Sequence, residues 1–243
     1  MAILEIKNIV KSFDGIRALD GVTLSFQEGA ITSLIGPNGS GKTTLTHVLS
    51  GIHVFESGTI IFEGKSHSAI RTHQVASLGA TRTFQEVRLF EQMSVYENIV
   101  VVLTQQHPVA ALLEFSDRPY REQVLQILQR IGLKEKSAAL AGELSYGQRK
   151  LLEIGRVLAM QPKIVFFDEP FAGLFPEMIK QVVSIMKELR ANGVTQILIE
   201  HNMDLIRKLS DAVFVMDAGR VLAYGKPEEV LSLAEVLEAY LGG

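Results

Sequence analysis

The stretch that decides the fold of this chain reads Gly36-Pro37-Asn38-Gly39-Ser40-Gly41-Lys42-Thr43. It fits the pattern G-x-x-x-x-G-K-[ST], which carries meaning only when a strand precedes it and a helix follows it. Residues 30–35 form a short, largely apolar run that is typical of a strand, and we expect a helix to begin near Gly41. The glycines let backbone N–H groups converge on one point without interference from Cβ atoms. The stretch therefore predicts a turn at the carboxyl end of a strand in an α/β protein.

The chemistry of this turn is that of a phosphate-binding loop. A helix beginning near Gly41 adds the positive end of its dipole to the converging N–H groups, which makes an anion site. Lys42 can reach the β- and γ-phosphates of a nucleotide, and Thr43 can ligate Mg²⁺. The alternative is a glycine-rich surface turn followed by a chance Lys-Thr pair, and the flanking strand and helix disfavour it. We therefore expect a nucleotide with β- and γ-phosphates, together with Mg²⁺, as the ligands.

Composition narrows the class of protein. The chain has 243 residues, 47% of them hydrophobic, which favours one domain or one domain with an inserted subdomain. Its net charge of -3 shows no basic excess, so we do not expect nucleic acid as a partner. The absence of cysteine excludes a disulfide framework and fits the cytoplasm. Residues 1–7 lack the layout of a signal peptide, and apolar runs such as 99–103 are too short to span a bilayer. Any membrane connection is therefore expected to go through a partner.

Apolar runs and turn residues predict the secondary structure of the rest of the chain. Short runs rich in Val and Ile predict strands at residues 3–10, 22–26 and 59–62, and the Glu28-Gly29 pair suits a tight hairpin. Residues 94–160 are predicted to be helical, with no clear strand. Strands and helices alternate again further on.

These elements predict an α/β fold. We expect a P-loop NTPase core with an N-terminal antiparallel β subdomain and an inserted helical subdomain. The whole chain, 1–243, is expected to be a single domain. Its nucleotide-binding core comprises residues 1–84 and 162–243, and its helical subdomain covers about residues 85–161. A hairpin is predicted at Asp217-Ala218-Gly219.

The second motif of the chain is acidic. It follows an apolar run at residues 164–167 that is typical of a buried parallel strand. Asp168 and Glu169 end that run, at the edge where α/β sheets bind ligands. Asp168 is placed to hold Mg²⁺, mostly through water, and Glu169 to orient and deprotonate an attacking water molecule. The alternative is that both acids merely cap a strand in solvent. A phosphate loop on the same sheet makes that alternative minor.

The stretch Leu144-Ser145-Tyr146-Gly147-Gln148 identifies the family. Ser145 and Gln148 form a capping box for the helix that follows, and the helix N-terminus is an anion site. A capping box alone indicates only that a helix begins. This one lies about twenty residues before Asp168 and Glu169. With this motif in that place, the chain resembles the ABC (ATP-binding cassette) transporter ATPases over its whole length. Their motif is usually Leu-Ser-Gly-Gly-Gln, and the tyrosine variant is associated with the branched-chain amino-acid uptake branch.

The resemblance implies roles for residues that spacing alone does not single out. Gln85 resembles the glutamine that senses Mg²⁺ and water, and His201 the histidine that contacts the γ-phosphate. Phe13 lies where the family stacks an aromatic ring on adenine. By themselves these residues would be interpreted as a surface glutamine, a capping histidine and a core phenylalanine. Ser145 and Gly147 would contact the γ-phosphate of an ATP held by the other subunit of a head-to-tail dimer.

The predicted site has three sets of residues. The catalytic set is Glu169, His201 and Gln85. The Mg²⁺ set is Thr43, Gln85 and Asp168. The nucleotide-binding set is Phe13, Gly36, Pro37, Asn38, Gly39, Ser40, Gly41, Lys42, Thr43, Thr44, Ser145, Gly147 and Gln148.

One position departs from the family pattern. Many members carry Ser-Ala-Leu-Asp after the Asp-Glu-Pro motif, whereas this chain has Ala172-Gly173-Leu174-Phe175. Phe175 cannot make the polar contact that the aspartate makes across the dimer. We expect altered communication between the two ATP sites, or one fully active site.

Residues 81–90, 94–98, 225–230 and 238–241 look like the branched-chain amino-acid uptake branch. The resemblance implies two ATPase subunits, usually different paralogues, docked on two integral-membrane subunits at the cytoplasmic face of the cell membrane. An external solute-binding protein delivers the solute. A homodimer in isolation is an alternative to the pair of paralogues.

Three alternatives stay open at this point. One is the ATPase of a lipid or lipopolysaccharide exporter. Another is a soluble ABC ATPase that acts on ribosomes or DNA, which the single phosphate loop and the lack of basic excess disfavour. The third is a small-molecule P-loop kinase, which the motif at residues 144–148 disfavours.

Overall fold

The computed structural model describes residues 1–83, 87–106 and 120–241, and within them the chain is an α/β protein with two sheets. The strands are β1 (Ala2–Phe13), β2 (Ile16–Gln27), β3 (Ile31–Ile35), β4 (Ser57–Phe62), β5 (Lys65–His67), β6 (Ala80–Arg82), β7 (Ile164–Asp168), β8 (Thr195–Ile199), β9 (Ala212–Asp217) and β10 (Arg220–Gly225). The helices are α1 (Lys42–Leu49), α2 (Thr72–Ser77), α3 (Val95–Gln106), α4 (Arg121–Arg130), α5 (Tyr146–Met160), α6 (Pro176–Ala191), α7 (Met203–Leu209), α8 (Pro227–Val230) and α9 (Ala234–Leu241).

The smaller sheet is antiparallel and has the strand order β2-β1-β4-β5. Asp14 and Gly15 join β1 to β2 with positive φ angles of 48° and 83°, and Phe13 pairs with Ile16. A two-residue turn with positive φ at both positions has a twist that matches the strands beside it. The predicted N-terminal antiparallel region is therefore confirmed.

The larger sheet has the order β10-β9-β3-β8-β7-β6 and is parallel except for the β9–β10 hairpin. All residues of β3, β7 and β8 are buried, as expected for strands covered on both faces. Because neighbouring parallel strands end at one edge, the segments after β3, β7 and β8 lie side by side. The hairpin predicted at residues 217–219 is confirmed, since Asp217 pairs with Arg220.

The hairpin predicted at Glu28-Gly29 is wrong. A turn is present, because Ala30 N donates to Gln27 O at 3.3 Å and Gly29 has a φ of 69°. However, β2 belongs to the smaller sheet and β3 to the larger one. Glu28 and Gly29 indicate a turn, but their residue types do not tell whether the two flanking strands pair with each other.

Both faces of the larger sheet carry apolar side chains. Leu34, Phe214 and Met216 belong to one core cluster, which also holds Leu45 of helix α1. The alternate residues Ile35, Val213 and Val215 belong to a second cluster with side chains of helices α8 and α9. Successive side chains of a strand point to opposite faces, so the loop after β3 leaves a sheet that is fixed on both sides.

The chain divides into two compact units, which we describe separately. The core unit comprises Met1–Arg82, Lys163–Glu169 and Lys187–Gly243, and the insertion unit comprises Thr83–Pro162 and Pro170–Met186. The predicted helical subdomain, about residues 85–161, falls within the insertion unit. The structure adds residues 170–186 to that unit. The assignment of the whole chain to a single domain stays a prediction.

Helices α3, α4 and α5 build the insertion unit around a core that includes Ile99, Ile127 and Leu151. A Cβ atom at Gly155 would lie 2.6 Å from Ile131 Cδ1 and 3.2 Å from Ile99 Cδ1. Glycine in the middle of α5 therefore permits close approach of its neighbours, which offsets its low helix propensity. Among the described helices, none combines the length and the apolar character needed to cross a membrane.

Candidate functional site

The phosphate-binding loop connects β3 to α1, as predicted. Gly36, Gly39 and Gly41 have φ angles of 150°, 81° and 101°, and Gly41 is the N-cap of α1. A Cβ atom would lie 2.1 Å from Met216 O at Gly36 and 2.6 Å from Ala18 O at Gly41. Only glycine fits at these two positions, because a side chain would collide with fixed backbone atoms.

The turn between β9 and β10 supports the loop from the side. Gly219 N donates to Ser40 O at 3.1 Å, and Asp20 N donates to Gly219 O at 2.9 Å. The Asp20 carboxylate accepts hydrogen bonds from Arg220 at 2.6 Å and from Arg17 at 2.7 Å. These bonds lower the pKa of Asp20. These hydrogen bonds hold the loop against the β9–β10 turn and β2.

Lys42 occupies the centre of the loop. Its Nζ donates to Gly36 O and Pro37 O at 2.8 Å each, and only 7% of the residue is exposed. Burial lowers the pKa of Lys42, while the carboxylates of Glu169 and Asp168 act in the opposite direction. A cation held among backbone N–H groups at a helix N-terminus is the donor set that nucleotide phosphates require.

Asp168 ends β7 and is buried. Its Oδ2 accepts a hydrogen bond of 2.6 Å from Nη2 of Arg82, the last residue of β6. Thr43 is exposed at the start of α1. A carboxylate and a hydroxyl are oxygen ligands of the kind that Mg²⁺ prefers, so these two residues fit the predicted metal. Sequence reasoning missed Arg82, although the residue stands within residues 81–90, which resemble the branched-chain amino-acid uptake branch.

Glu169 and His201 meet at the same edge of the sheet. His201 Nε2 lies 3.2 Å from Glu169 Oε1, and Glu169 N donates to Ile199 O at 2.9 Å. Glu169 has a φ of 46°, a left-handed conformation that costs energy for a residue other than glycine and often marks a functional position. Both side chains are partly exposed. A carboxylate that solvent can reach and a histidine orients is a suitable general base.

Glu200 is a second buried group that sequence reasoning missed. It follows β8 directly, 7% of it is exposed, and its Oε1 accepts a hydrogen bond from Asn202 N at 3.3 Å. Burial raises the pKa of Glu200, and hydrogen bonds from the backbone of Asn202 and His201 oppose that rise. An acid directly before a predicted site histidine was the available signal. Glu200 fixes the loop that carries His201.

Phe13 lies at the tip of the β1–β2 hairpin. The residue is 40% exposed, so the alternative interpretation as a core phenylalanine is wrong. Lys11 Nζ lies 4.9 Å from the ring centroid, and the His53 ring meets it edge-on with centroids 5.1 Å apart. An exposed ring with a polar rim is suited to stacking on a flat base.

The motif at residues 144–148 starts helix α5 in the insertion unit. Ser145 is the N-cap, with Gln148 N donating to its Oγ at 3.4 Å and Ser145 N donating to Gln148 Oε1 at 3.1 Å. The predicted capping box is therefore confirmed. Lys136 Nζ also donates to Gln148 Oε1, at 3.2 Å. The Gln148 side chain thus organises the helix start, whereas Ser145 is exposed.

Tyr146 packs against the segment that follows the Asp-Glu-Pro motif. A Cβ atom at Gly173, which has a φ of 71°, would lie 2.8 Å from Tyr146 Cε1. Lys150 Nζ lies 5.6 Å from the centroid of the tyrosine ring. Two residues beyond the glycine, Phe175 is 72% exposed. The tyrosine variant of the motif therefore depends on a glycine at residue 173.

The structure thus brings Lys42, Asp168, Glu169 and His201 together on the core unit, and it places Ser145 and Gly147 on the insertion unit. Thr44 is half-buried in the first turn of α1. Gln85 lies outside the described residues, so its catalytic and metal-binding roles stay predictions.

The fold and the core-unit site together define a P-loop protein that binds and hydrolyses a nucleoside triphosphate. The chain belongs to the ABC transporter family, whose sequence pattern matches residues 19–172, and it is an ATP hydrolase. The predicted family, fold class and ATPase activity are confirmed, and the small-molecule kinase is excluded.

Similar proteins extend over the whole chain. The chain is 38% identical to the high-affinity branched-chain amino acid transport ATP-binding protein LivG of Salmonella typhimurium, over 99% of this chain and 98% of that protein. It is 37% identical to the corresponding protein BraF of Pseudomonas aeruginosa, over 99% and 98%. Its fold is similar, with a TM-score of 0.86, to the ADP conformation of an ATP-binding cassette of an ABC transporter that is 35% identical, with 100% of both chains covered.

Proposed function

We propose that this ATPase powers the uptake of branched-chain amino acids as a subunit of an ABC transporter. The observation that carries the proposal is its similarity to LivG and BraF along nearly the full length of all three chains. The tyrosine at residue 146 supports it, because the tyrosine variant of the motif at residues 144–148 resembles that of the branched-chain amino-acid uptake branch. The alternative, the ATPase of a lipid or lipopolysaccharide exporter, is an outcome of the experiment described below.

In the proposed mechanism, Lys42 and the backbone of the loop bind the phosphates of ATP. Thr43, Asp168 and Gln85 would hold Mg²⁺, which supplies positive charge to the phosphate oxygens. Glu169 takes a proton from the attacking water, and its contact with His201 at 3.2 Å holds the carboxylate in place.

Phe13 provides the stacking surface for adenine. We infer this from its exposure and from the polar groups at its rim. Aromatic rings bind flat bases through offset stacking and burial of apolar area.

We propose that Ser145 and Gly147 bind the γ-phosphate of ATP held by a second ATPase subunit. Ser145 is exposed at the N-terminus of α5, a helix of 15 residues, and helix N-termini attract anions. The second subunit is a paralogue or another copy of this chain, arranged head to tail. Binding of ATP by both subunits closes the pair, and hydrolysis reopens it.

The membrane partner is proposed to dock on the insertion unit. A surface groove of about 430 Å³ is lined by Ser94, Tyr96, Glu97, Val100, Ser137 and Ala138. Phe90, beside this segment, is 43% exposed. The buried Asn98 side chain holds the segment, since it accepts from Phe90 N and donates to Phe90 O and Ser94 O at 3.0 Å each. A rigid surface with apolar residues and a polar rim suits a helix of a membrane subunit.

This docking would place the chain at the cytoplasmic face of the cell membrane as a peripheral subunit of two integral-membrane proteins. An external solute-binding protein, which would deliver the solute to the membrane subunits, is part of the proposed system.

The test is reconstitution of the chain with its membrane subunits in liposomes that contain ATP. We expect uptake of labelled leucine or isoleucine that depends on ATP and on an added solute-binding protein. Lys42→Ala is the matched control. Movement of lipid or lipopolysaccharide without amino-acid uptake would contradict the proposed solute class and leave the ATPase assignment intact.

A further inference from the structure

The ion pair between Arg82 and Asp168 is an unexpected feature of the site. Arg82 Nη2 lies 2.6 Å from Asp168 Oδ2, and the two side chains are only 6% and 11% exposed. Strands β6 and β7 are parallel neighbours, with Arg82 paired to Phe166. The pair therefore joins the ends of adjacent strands at the edge where the nucleotide residues lie.

The guanidinium of Arg82 also contacts the C-terminal end of α1, the helix that follows the phosphate-binding loop. Its Nη1 donates to Ser50 Oγ at 3.4 Å, and Ser50 directly follows helix α1. Ser50 Oγ in turn donates to Thr46 O within that helix. The Arg82 side chain is thus held from two sides and is directed at Asp168.

A buried carboxylate needs compensating positive charge. Lys42 contributes part of it, Arg82 contacts the Asp168 carboxylate directly, and Mg²⁺ would be a second cation in direct contact. Burial of an unpaired carboxylate is costly, and the guanidinium supplies compensating charge. Mg²⁺ would supply the same compensation, with two charges in place of one. Arginine cannot lose its proton in a protein. The two cations therefore repel each other at short range, in a partly buried place where water screens charges poorly.

We infer that Arg82 is a positioning residue that competes with Mg²⁺ for Asp168. The inference rests on the proposed role of Asp168 as a metal-holding residue. In the absence of metal, Arg82 keeps the Asp168 carboxylate paired and in place. When Mg²⁺ arrives with the nucleotide, part of this ion pair is given up, which weakens metal binding.

Arg82 lies where the chain passes from the core unit to the insertion unit. Arg82 is the last residue of the first segment of the core unit, and Thr83 is the first residue of the insertion unit. Gln85, which is predicted to sense Mg²⁺, follows two positions after Thr83. A change at the Arg82 ion pair therefore occurs where the chain passes from one unit to the other.

The experiment measures binding of a non-hydrolysable ATP analogue in EDTA and in saturating Mg²⁺. The ratio of the two dissociation constants is the Mg²⁺ enhancement. We expect Arg82→Gln to raise this enhancement by about tenfold, the scale of one partly screened charge interaction. The charge-matched control is Lys163→Gln, which removes the exposed ion pair with Glu63 and leaves the enhancement unchanged.

The outcomes separate competition from other roles. If the Mg²⁺ enhancement of Arg82→Gln is unchanged, the ion pair is only a structural contact. If the Mg²⁺ enhancement decreases, Arg82 supports the metal site. Either result overturns the inference. If Arg82→Gln does not fold, Arg82→Lys carries the test. The shorter lysine side chain keeps its charge and lengthens the contact, so a smaller increase is expected.

Asp168→Asn distinguishes this inference from the proposed function. The variant is expected to lose most of the Mg²⁺ enhancement. If it keeps the enhancement, Asp168 does not hold the metal, and the assumption beneath the inference fails. If the parent protein binds no nucleotide in EDTA or in Mg²⁺, the proposed function fails.

Discussion

His201 Nε2 lies 3.2 Å from Glu169 Oε1, although the two residues are 32 positions apart in the chain. The register of the sheet causes this contact, because Asp168 pairs with Ile199 in the parallel strands β7 and β8. Glu169 and Glu200 are the next residues after this pair, and His201 follows one position later at the same edge of the sheet. The base and the group that orients it therefore lie at the ends of two neighbouring buried strands, and His201 stands on the short loop after β8 that Glu200 holds through the hydrogen bond from Asn202 N.

Lys42→Ala is expected to lower the rate of ATP hydrolysis by at least about 10²-fold, the usual effect of removing one positioned charge-stabilising donor. The ammonium lies at the centre of the loop, bonded to Gly36 O and Pro37 O. The measurement is phosphate release at saturating ATP, with Lys163→Ala as a control on an exposed lysine. Hydrolysis at the parental rate would show that the loop was assigned the wrong role.

Glu200→Gln is expected to stabilise the protein at neutral pH. Burial raises the pKa of Glu200, so the folded chain holds this proton more tightly than the unfolded chain. The stabilisation that the protonated Glu200 carboxyl contributes is therefore fully present below the unfolded-state pKa of about 4.3. It is lost as the pH rises through the folded-state pKa of Glu200. Glutamine removes this loss and keeps an acceptor oxygen for Asn202 N.

The measurement is the melting temperature of the parent and Glu200→Gln between pH 4 and pH 8. The difference should be largest at the upper end and should shrink towards pH 4. Glu238→Gln, at an exposed position of α9, is the control and should show no such trend. A lower melting temperature for Glu200→Gln at neutral pH would mean that the ionised form is the one the fold requires.

Phe175→Asp is expected to raise the cooperativity of ATP hydrolysis when the chain is assayed alone. Phe175 is 72% exposed, so an aspartate is tolerated there and restores a polar group for contact across the dimer. The Hill coefficient should move towards about 2, the limit for two coupled sites. A clear fall in the coefficient would contradict the proposed role of this position.

Phe90→Glu is expected to abolish assembly with the membrane subunits while basal ATP hydrolysis persists. Phe90 is 43% exposed and lies under the Arg156 guanidinium, which is 5.2 Å from the ring centroid. Co-purification measures assembly, and Leu89→Glu extends the test to the adjacent residue. Leu237→Glu, at a 50% exposed position on α9, is the control. Intact assembly together with lost basal hydrolysis would show that the segment belongs to the core of the insertion unit.

The parts of the site that the sequence predicted are those encoded by local pattern. The glycines of the phosphate loop fix a backbone path, and Ser145 with Gln148 fixes a helix start, so each is visible within eight residues. Asp168 and Glu169 were visible because an apolar strand precedes them. The fold class followed from the alternation of such runs.

The missed features depend on contacts between distant residues. Arg82 and Asp168 are 86 positions apart, and no local pattern reports which strands become neighbours. Strand β6 has only 3 residues, too few to show a period. The dependence of Tyr146 on Gly173 likewise appears only when the tyrosine ring is seen against the glycine backbone.

The most direct test of the account is Glu169→Gln, because it separates nucleotide binding from hydrolysis. Glutamine keeps the size of the side chain but cannot take a proton from water. We predict that turnover falls by about 10²–10⁴-fold, the scale for loss of a positioned general base. ATP affinity is expected to stay close to that of the parent, and the variant should accumulate as an ATP-bound dimer in size-exclusion chromatography. Turnover near the parental rate, measured on the same preparation, would contradict the assignment of Glu169 as the base.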